Sequence, residues 1–229
     1  MLDWKTIDTV LLDMDGTLLD LHFDNHFWLE HVPRRYAEAR GIPLADASAE
    51  LMTRYRDIQG TLNWYCIDHW TRELGLDIAL LKEEVSHLIS VQPQVTGFLD
   101  LLSRAGKRRV LVTNAHQKSL ELKMRRTDLR GRLDRVVCAH DLGLPKEDAG
   151  FWDRLQREEP FDPLHTLFVD DSVAVLHSAR RYGIAELLAI LKPDTRQAER
   201  RVDEFPAVQD FSALMPGLQR FVYQLATDL

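Results

Sequence analysis

Val10-Leu11-Leu12-Asp13-Met14-Asp15-Gly16-Thr17-Leu18 is an apolar run that ends in two carboxylates one residue apart, followed by a Gly-Thr turn. The run from Ile7 to Leu12 is short and rich in branched side chains, which predicts a buried strand. Gly16 ends it by letting the backbone turn freely. If Asp13 and Asp15 keep the alternation of a strand, their carboxylates point to one side. Two like charges held that close are unfavourable unless a cation or a proton separates them. Taken alone, such a pair is most simply a solvated acidic turn. Three later strand ends change that reading.

From Gln94 onward the chain alternates between helical and strand patterns. Helices are predicted over Val95–Arg104, Gln117–Leu129, Glu147–Glu158 and Val173–Tyr182, and strands over Arg109–Thr113, Arg135–Cys138, Thr166–Val169 and Glu186–Leu191. Helices are predicted again at Thr195–Val202 and Phe211–Leu225. Strands spaced by helices of this length imply an α/β fold, a Rossmann-like doubly wound parallel sheet. Between the first strand and Pro93 no strand is convincing. Asn25–Arg40, Asp46–Gln59, Trp64–Leu74 and Asp77–Ser90 all read as helices punctuated by glycine or proline. The chain therefore divides into a core, residues 1–20 and 93–229, and an inserted helical cap domain, residues 21–92.

Sheets of this kind bind ligands at the carboxyl ends of their strands, and polar residues collect there. The first strand delivers Asp13 and Asp15, the second Thr113 and Asn114, a loop after the third Pro145-Lys146-Glu147-Asp148, and the fourth Asp170-Asp171-Ser172. A strand-end Thr is ordinarily a turn, a loop Lys solvated, and an Asp-Asp-Ser before a helix a cap. In this order and at equivalent positions they suit phosphoryl transfer. A carboxylate can attack phosphorus and split one hard step into two. Carboxylates with a backbone carbonyl suit Mg²⁺, which makes the approach of two anions tolerable. A hydroxyl, amides and a lysine hold the phosphate oxygens, and a second carboxylate can protonate the leaving alcohol and then activate water.

These motifs resemble those of the haloacid dehalogenase-like superfamily. The resemblance implies a nucleophile at Asp13, a general acid/base at Asp15, and phosphate binding by Thr113, Asn114 and Lys146. It also implies Mg²⁺ bound by Asp13, Asp171 and the Asp15 carbonyl, with Asp170 contributing directly or through water. Val175 stands where many members carry a further acid. An acid at Asp15 points to a phosphatase or phosphomutase, since dehalogenating members lack it and ion pumps carry Thr. Thr9 to Leu21, Phe23-Asp24-Asn25, Thr61-Leu62-Asn63-Trp64-Tyr65-Cys66 and Pro145 to Asp148 resemble the bacterial GMP/IMP nucleotidase group across almost the whole chain. That resemblance implies a nucleoside monophosphate substrate read by the cap. Asn25 and Asn63 are candidate base readers, because an amide both donates and accepts, and Trp64 is a candidate stacking face.

The composition limits the alternatives. At 229 residues with 45% apolar side chains the chain has enough material for a packed core. It carries 29 Lys and Arg against 36 Asp and Glu, a net charge of −7 without a basic block, which argues against nucleic acid as a partner. No apolar run approaches the roughly 20 residues of a membrane span and no signal peptide opens the chain, so a cytoplasmic protein is expected. Cys66 and Cys138 lack metal or redox spacing and read as small buried hydrophobes. His22 and His26 are four apart, but Asp24 and Asn25 between them read as a turn or cap, and His140-Asp141 has no further His-rich partner. Another phosphometabolite, such as a sugar phosphate, is the alternative substrate. A phospho-accepting signalling module is disfavoured, since there the acidic pair comes first and the lysine last. A non-catalytic binding protein is disfavoured because no motif residue is missing.

Overall fold

Six strands form one parallel sheet in the computed structural model, which describes residues 2–227. They are β1 (Thr9–Leu12), β2 (Arg108–Thr113), β3 (Arg135–Cys138), β4 (Thr166–Asp170), β5 (Glu186–Ile190) and β6 (Ala207–Val208). Their order is β3-β2-β1-β4-β5-β6. The winding reverses between β1 and β4, and that is where an open α/β sheet forms its ligand crevice. Leu12 pairs with both Leu111 and Val169, so Asp13 and Asp170, the next residues along, come level.

Both faces of the sheet are buried, which explains why its strands are continuous apolar runs. Val10, Leu12, Leu111, Leu167 and Val169 pack on one side with the Val95–Arg104 and Met215–Thr227 helices. Leu11, Val110, Val112 and Phe168 pack on the other with the Ala149–Glu158 and Val173–Tyr182 helices. Each such side chain contributes about 1.5–3 kcal/mol on leaving water. The sheet is therefore a rigid floor for whatever its strand ends carry.

Between β1 and β2 the chain is helical. Residues His22–His26, Phe27–His31 and Val32–Arg40 run on as one helix whose middle segment is a π-turn. Pro33 accounts for it: without an N–H the residue cannot continue the regular ladder, and a wider turn absorbs the misfit. Leu44–Asp57, Leu62–Tyr65, Ile67–Leu74 and Ile78–Glu84 follow. Their apolar faces make a separate cluster around Phe27, Tyr55 and Trp70, to which Leu122 adds one residue from outside the segment.

Two expectations need correction. Residues 195–202 are not helical but a run of turns and extended chain. Arg196-Gln197-Ala198-Glu199 are good helix formers, yet Asp194 accepts from the Arg196 amide and the Gln197 side chain, and Thr195 bonds to Asp20. Arg200 donates to the Ile190 and Asp171 carbonyls. These tertiary bonds outweigh a propensity of a few tenths of a kcal/mol per residue. Glu186–Leu191, expected as the final strand, is followed by one more, the two-residue β6, which pairs with β5.

Candidate active site

Lys146 is the hub of the crevice floor. Its Nζ donates to Asp13 Oδ1 at 2.5 Å, to Asp170 Oδ2 at 2.7 Å and to the Val112 carbonyl at 3.2 Å. Burial disfavours the ammonium, but Asp13 and Asp170 more than offset this and hold Lys146 above the ordinary lysine range. Asp170 is engaged at both oxygens, since Oδ1 accepts from the Ser172 amide at 2.7 Å. Asp13 differs: Oδ2 is buried and has no hydrogen-bond partner among the described residues.

Carboxylate oxygens of Asp13, Asp170 and Asp171 lie within 4.8 Å of one another. Burial, reinforced by mutual repulsion, pushes Asp13 to about 7, Asp170 to about 6 and Asp171 to about 7, although Lys146 pulls each of them down. Three acids so close, Asp13 and Asp170 buried and Asp171 half-buried, one with an orphaned oxygen, fit a divalent cation bound by oxygen. Gly16 makes the approach possible. Its φ is +87°, and a Cβ there would stand 2.8 Å from Asp171 Cγ and Oδ2.

Asp15 sits beside this cluster on a different lysine. Lys123 Nζ donates to Asp15 Oδ1 at 2.7 Å and to Asp24 Oδ2 at 2.6 Å, and Lys82 Nζ donates to Asp24 Oδ1 at 2.8 Å. Burial raises Asp15 above the usual carboxylate range, with Lys123 opposing and Asp24 reinforcing. Asp24 is also desolvated, but its two lysines hold it at about 2. Two carboxylates on one charge chain are thus driven apart, the pattern that separates a proton donor from a fixed anion. The sequence reading missed Lys82 and Lys123. Helical phase could have found Lys123, because it follows the buried Ser119 and Leu120 by four and three residues.

Thr113 is buried at the end of β2, and its Oγ1 accepts from the Ala115 amide at 3.0 Å. The Asn114 side chain is committed to the protein. Oδ1 accepts from the Lys146 amide at 2.9 Å, and Nδ2 donates to Glu147 Oε2 at 2.9 Å. Tyr65, from the inserted helices, donates to Glu147 Oε1 at 2.6 Å. Asn114 therefore positions the Lys146 loop and ties it to the insert through Glu147.

Above this floor lies a cavity of about 610 Å³, within the range for small-molecule sites. Its floor is Asp13, Asp15, Thr113, Asn114, Lys146, Asp170 and Asp171, and its walls include Trp28, Tyr55, Trp64 and Trp70. Trp64 meets Tyr55 edge-on at 5.6 Å, so it belongs both to the aromatic cluster and to the wall. Asn25 also lines the cavity, with Nδ2 donating to Asp194 at 2.8 Å. Asn63 does not: it is exposed and outside the lining, because Trp64 and Tyr65 take the inward positions of that single helical turn. Arg56 and Gln59 line the wall and had no signal in the sequence.

The model of the haloacid dehalogenase-like hydrolase family matches residues 7–183. The GMP/IMP nucleotidase YrfG of Escherichia coli (strain K12) is 40% identical over 215 residues, covering 94% of this chain and 97% of that protein. Its counterpart in Shigella flexneri matches equally. Among solved structures, a HAD phosphatase from Thermococcus onnurineus superposes with a TM-score of 0.78 at 20% identity, covering 93% of this chain and 98% of that one. CbbY from Rhodobacter sphaeroides, in complex with phosphate, gives 0.64 at 18% identity, covering 93% and 99%. At such identities the two structures speak for the fold alone.

Proposed function

The chain belongs to the haloacid dehalogenase-like hydrolase family and is a phosphoric monoester hydrolase, and we propose that it converts the 6-oxo purine 5′-nucleotides IMP and GMP to nucleoside and phosphate. The observation that carries the mechanism is the asymmetry of Asp13, one oxygen held by Lys146 and the other buried without a partner. Asp13, Asp170, Asp171 and the Asp15 carbonyl would hold Mg²⁺, an all-oxygen set that suits it. When bound, the ion supplies positive charge against which carboxylate and phosphate can meet.

Asp13 attacks phosphorus while the bond from phosphorus to O5′ breaks, giving an aspartyl-phosphate. Protonated Asp15 gives its proton to O5′, and the nucleoside leaves. The Asp15 carboxylate then takes a proton from water, whose oxygen bonds to phosphorus as the bond to Asp13 breaks. Phosphate is released and both acids are restored. Thr113 donates its hydroxyl to a phosphoryl oxygen, Lys146 turns to one the N–H it otherwise gives to the Val112 carbonyl, and Lys123 anchors Asp15 in reach. Residues 21–92 serve as a cap that excludes water and reads the leaving group, an arrangement supported by the insert's own apolar cluster and by the Tyr65–Glu147, Asn25–Asp194 and Asp24–Lys123 contacts.

Substrate choice follows from hydrogen-bond pattern. A 6-oxo purine presents an acceptor at O6 and a donor at N1, and adenine the reverse. With its amide nitrogen on Asp194, Asn25 offers its carbonyl oxygen to N1–H, while Arg56 and Gln59 offer donors to O6, and Trp64 offers a stacking face. Each mismatch with AMP leaves a group unpaired at about 1–3 kcal/mol. Two of them give on the order of 10²-fold in kcat/KM. Phosphate release measured side by side from IMP, GMP, AMP and a sugar phosphate tests this, and equal values or a preference for the sugar phosphate would refute it.

The close approach of Gly16 to Asp171 leads to a second expectation. Gly16→Ala places a methyl-bearing residue in the left-handed region, at about 1–2 kcal/mol, and drives it against the Asp171 carboxylate. The variant is expected to melt a few degrees lower and to need more Mg²⁺ for half-maximal rate. An unchanged Mg²⁺ titration would remove Asp171 from the metal site.

A further inference from the structure

A second cluster of side chains with metal-ligand chemistry lies outside the carboxylate floor. Cys66, His116 and His140 each offer a ligand atom, and these atoms lie within 4.8 Å of one another. The three come from separate places: Cys66 caps the Ile67–Leu74 helix of the insert, His116 caps the Gln117–Arg126 helix after β2, and His140 sits in the turn of helix after β3. The two imidazole rings meet edge to face at 4.9 Å. His140 Nε2 is buried with no hydrogen-bond partner among the described residues, an orphan that calls for an explanation. His116 Nδ1 accepts from the Lys118 amide, which leaves Nε2, 3.7 Å from Asp68 Oδ2, as the ring nitrogen available for coordination.

We propose that Cys66, His116 and His140 bind one Zn²⁺ and that the ion clamps the inserted helices to the core. One sulfur and two imidazoles are a borderline-soft donor set that selects zinc and leaves Mg²⁺ to the oxygens of Asp13, Asp170 and Asp171. Ligand atoms around tetrahedral zinc stand roughly 3.5 Å apart, so the cluster needs only a small contraction. Burial keeps both rings neutral at pH 7, pushing His140 to about 4 and His116 below the usual range, and neutral imidazole is the coordinating form. The fourth position falls to water or to Asp68. Because one ligand rides on the insert and two on the core, next to Tyr65 and Thr113-Asn114 respectively, the bound ion resists the separation of the two.

The test uses full-length protein stripped with a chelator and supplied with excess Mg²⁺. Titration with Co²⁺ is expected to give one tight site with a sulfur-to-metal charge-transfer band, abolished in Cys66→Ser, weakened in His140→Gln and competed away by Zn²⁺. Zn²⁺ is also expected to protect Cys66 of the unmodified protein from iodoacetamide, about tenfold at ten times its dissociation constant, with buried Cys138 as internal reference. In amide exchange, Zn²⁺ is expected to slow residues 62–74 in the unmodified protein and not in Cys66→Ser. Cobalt bound without the sulfur band, or unprotected Cys66, would overturn the site. Unaltered exchange with zinc bound would overturn the clamp.

Discussion

Asp13→Asn is expected to lower phosphatase turnover by about 10⁴-fold or more, the scale on which removal of a nucleophile registers, while the protein stays folded. The side chain keeps its shape, and the amide oxygen can still accept from Lys146 Nζ. What disappears is the negative charge that, in the proposed mechanism, attacks phosphorus and helps to hold the cation. Stability should not suffer. Folding raises Asp13 from 3.8 to about 7, so at neutral pH the ionised form is worse off in the native state than in the unfolded one. That penalty is absent below 3.8, grows as pH rises toward about 7, and is removed by a neutral amide. The melting temperature without Mg²⁺ should therefore be equal or higher. Circular dichroism and a phosphate-release assay check both halves, and appreciable turnover by the amide would exclude Asp13 as nucleophile.

Asp15→Asn is expected to cost about 10²- to 10⁴-fold in turnover on IMP, the range for loss of a general acid/base. The loss should depend on the leaving group. A nucleoside 5′-alkoxide must be protonated as it departs, whereas a nitrophenolate leaves unaided. The variant should therefore retain far more activity on a nitrophenyl phosphate in the step that forms the aspartyl-phosphate. Single-turnover kinetics isolate that step, and equal losses on both substrates would count against Asp15 as proton donor. Lys123→Met provides the companion measurement. It leaves the carboxylic acid in place but deletes the ammonium that donates to Asp15 Oδ1, so the pH profile of turnover should move while some activity survives.

Much of this site was legible in the sequence because its residues are fixed to strand ends. An apolar run terminating in Asp13-Met14-Asp15-Gly16, and others ending in Thr113-Asn114 and Asp170-Asp171, place those side chains at one edge of any parallel sheet. Lys146 follows from the same logic, one loop beyond β3. What was hidden depends on tertiary contact. Lys82 is a lysine on a helix and reads as solvated until Asp24, far away in the sequence, is found against it. Glu147 read as a loop acid, and only the fold joins it to Tyr65 and Asn114. Cys66, His116 and His140 have no spacing that signals a metal, since three different elements bring them together. Asn63 lies outside the cavity lining for the opposite reason: within one turn of helix, a residue's neighbours decide which way it faces.

In the proposed mechanism phosphate passes through Asp13 on its way from a purine nucleotide to water. The most direct test is to mix the protein with IMP and Mg²⁺, quench within a turnover, reduce with borohydride and map the product by mass spectrometry. An acyl phosphate is reduced to the alcohol and a free carboxylate is not, so the account predicts one modified residue, Asp13, absent when IMP is omitted and absent in Asp13→Asn. Reduction at another residue, or phosphate release from IMP with Asp13 unmodified throughout the first turnover, would contradict it.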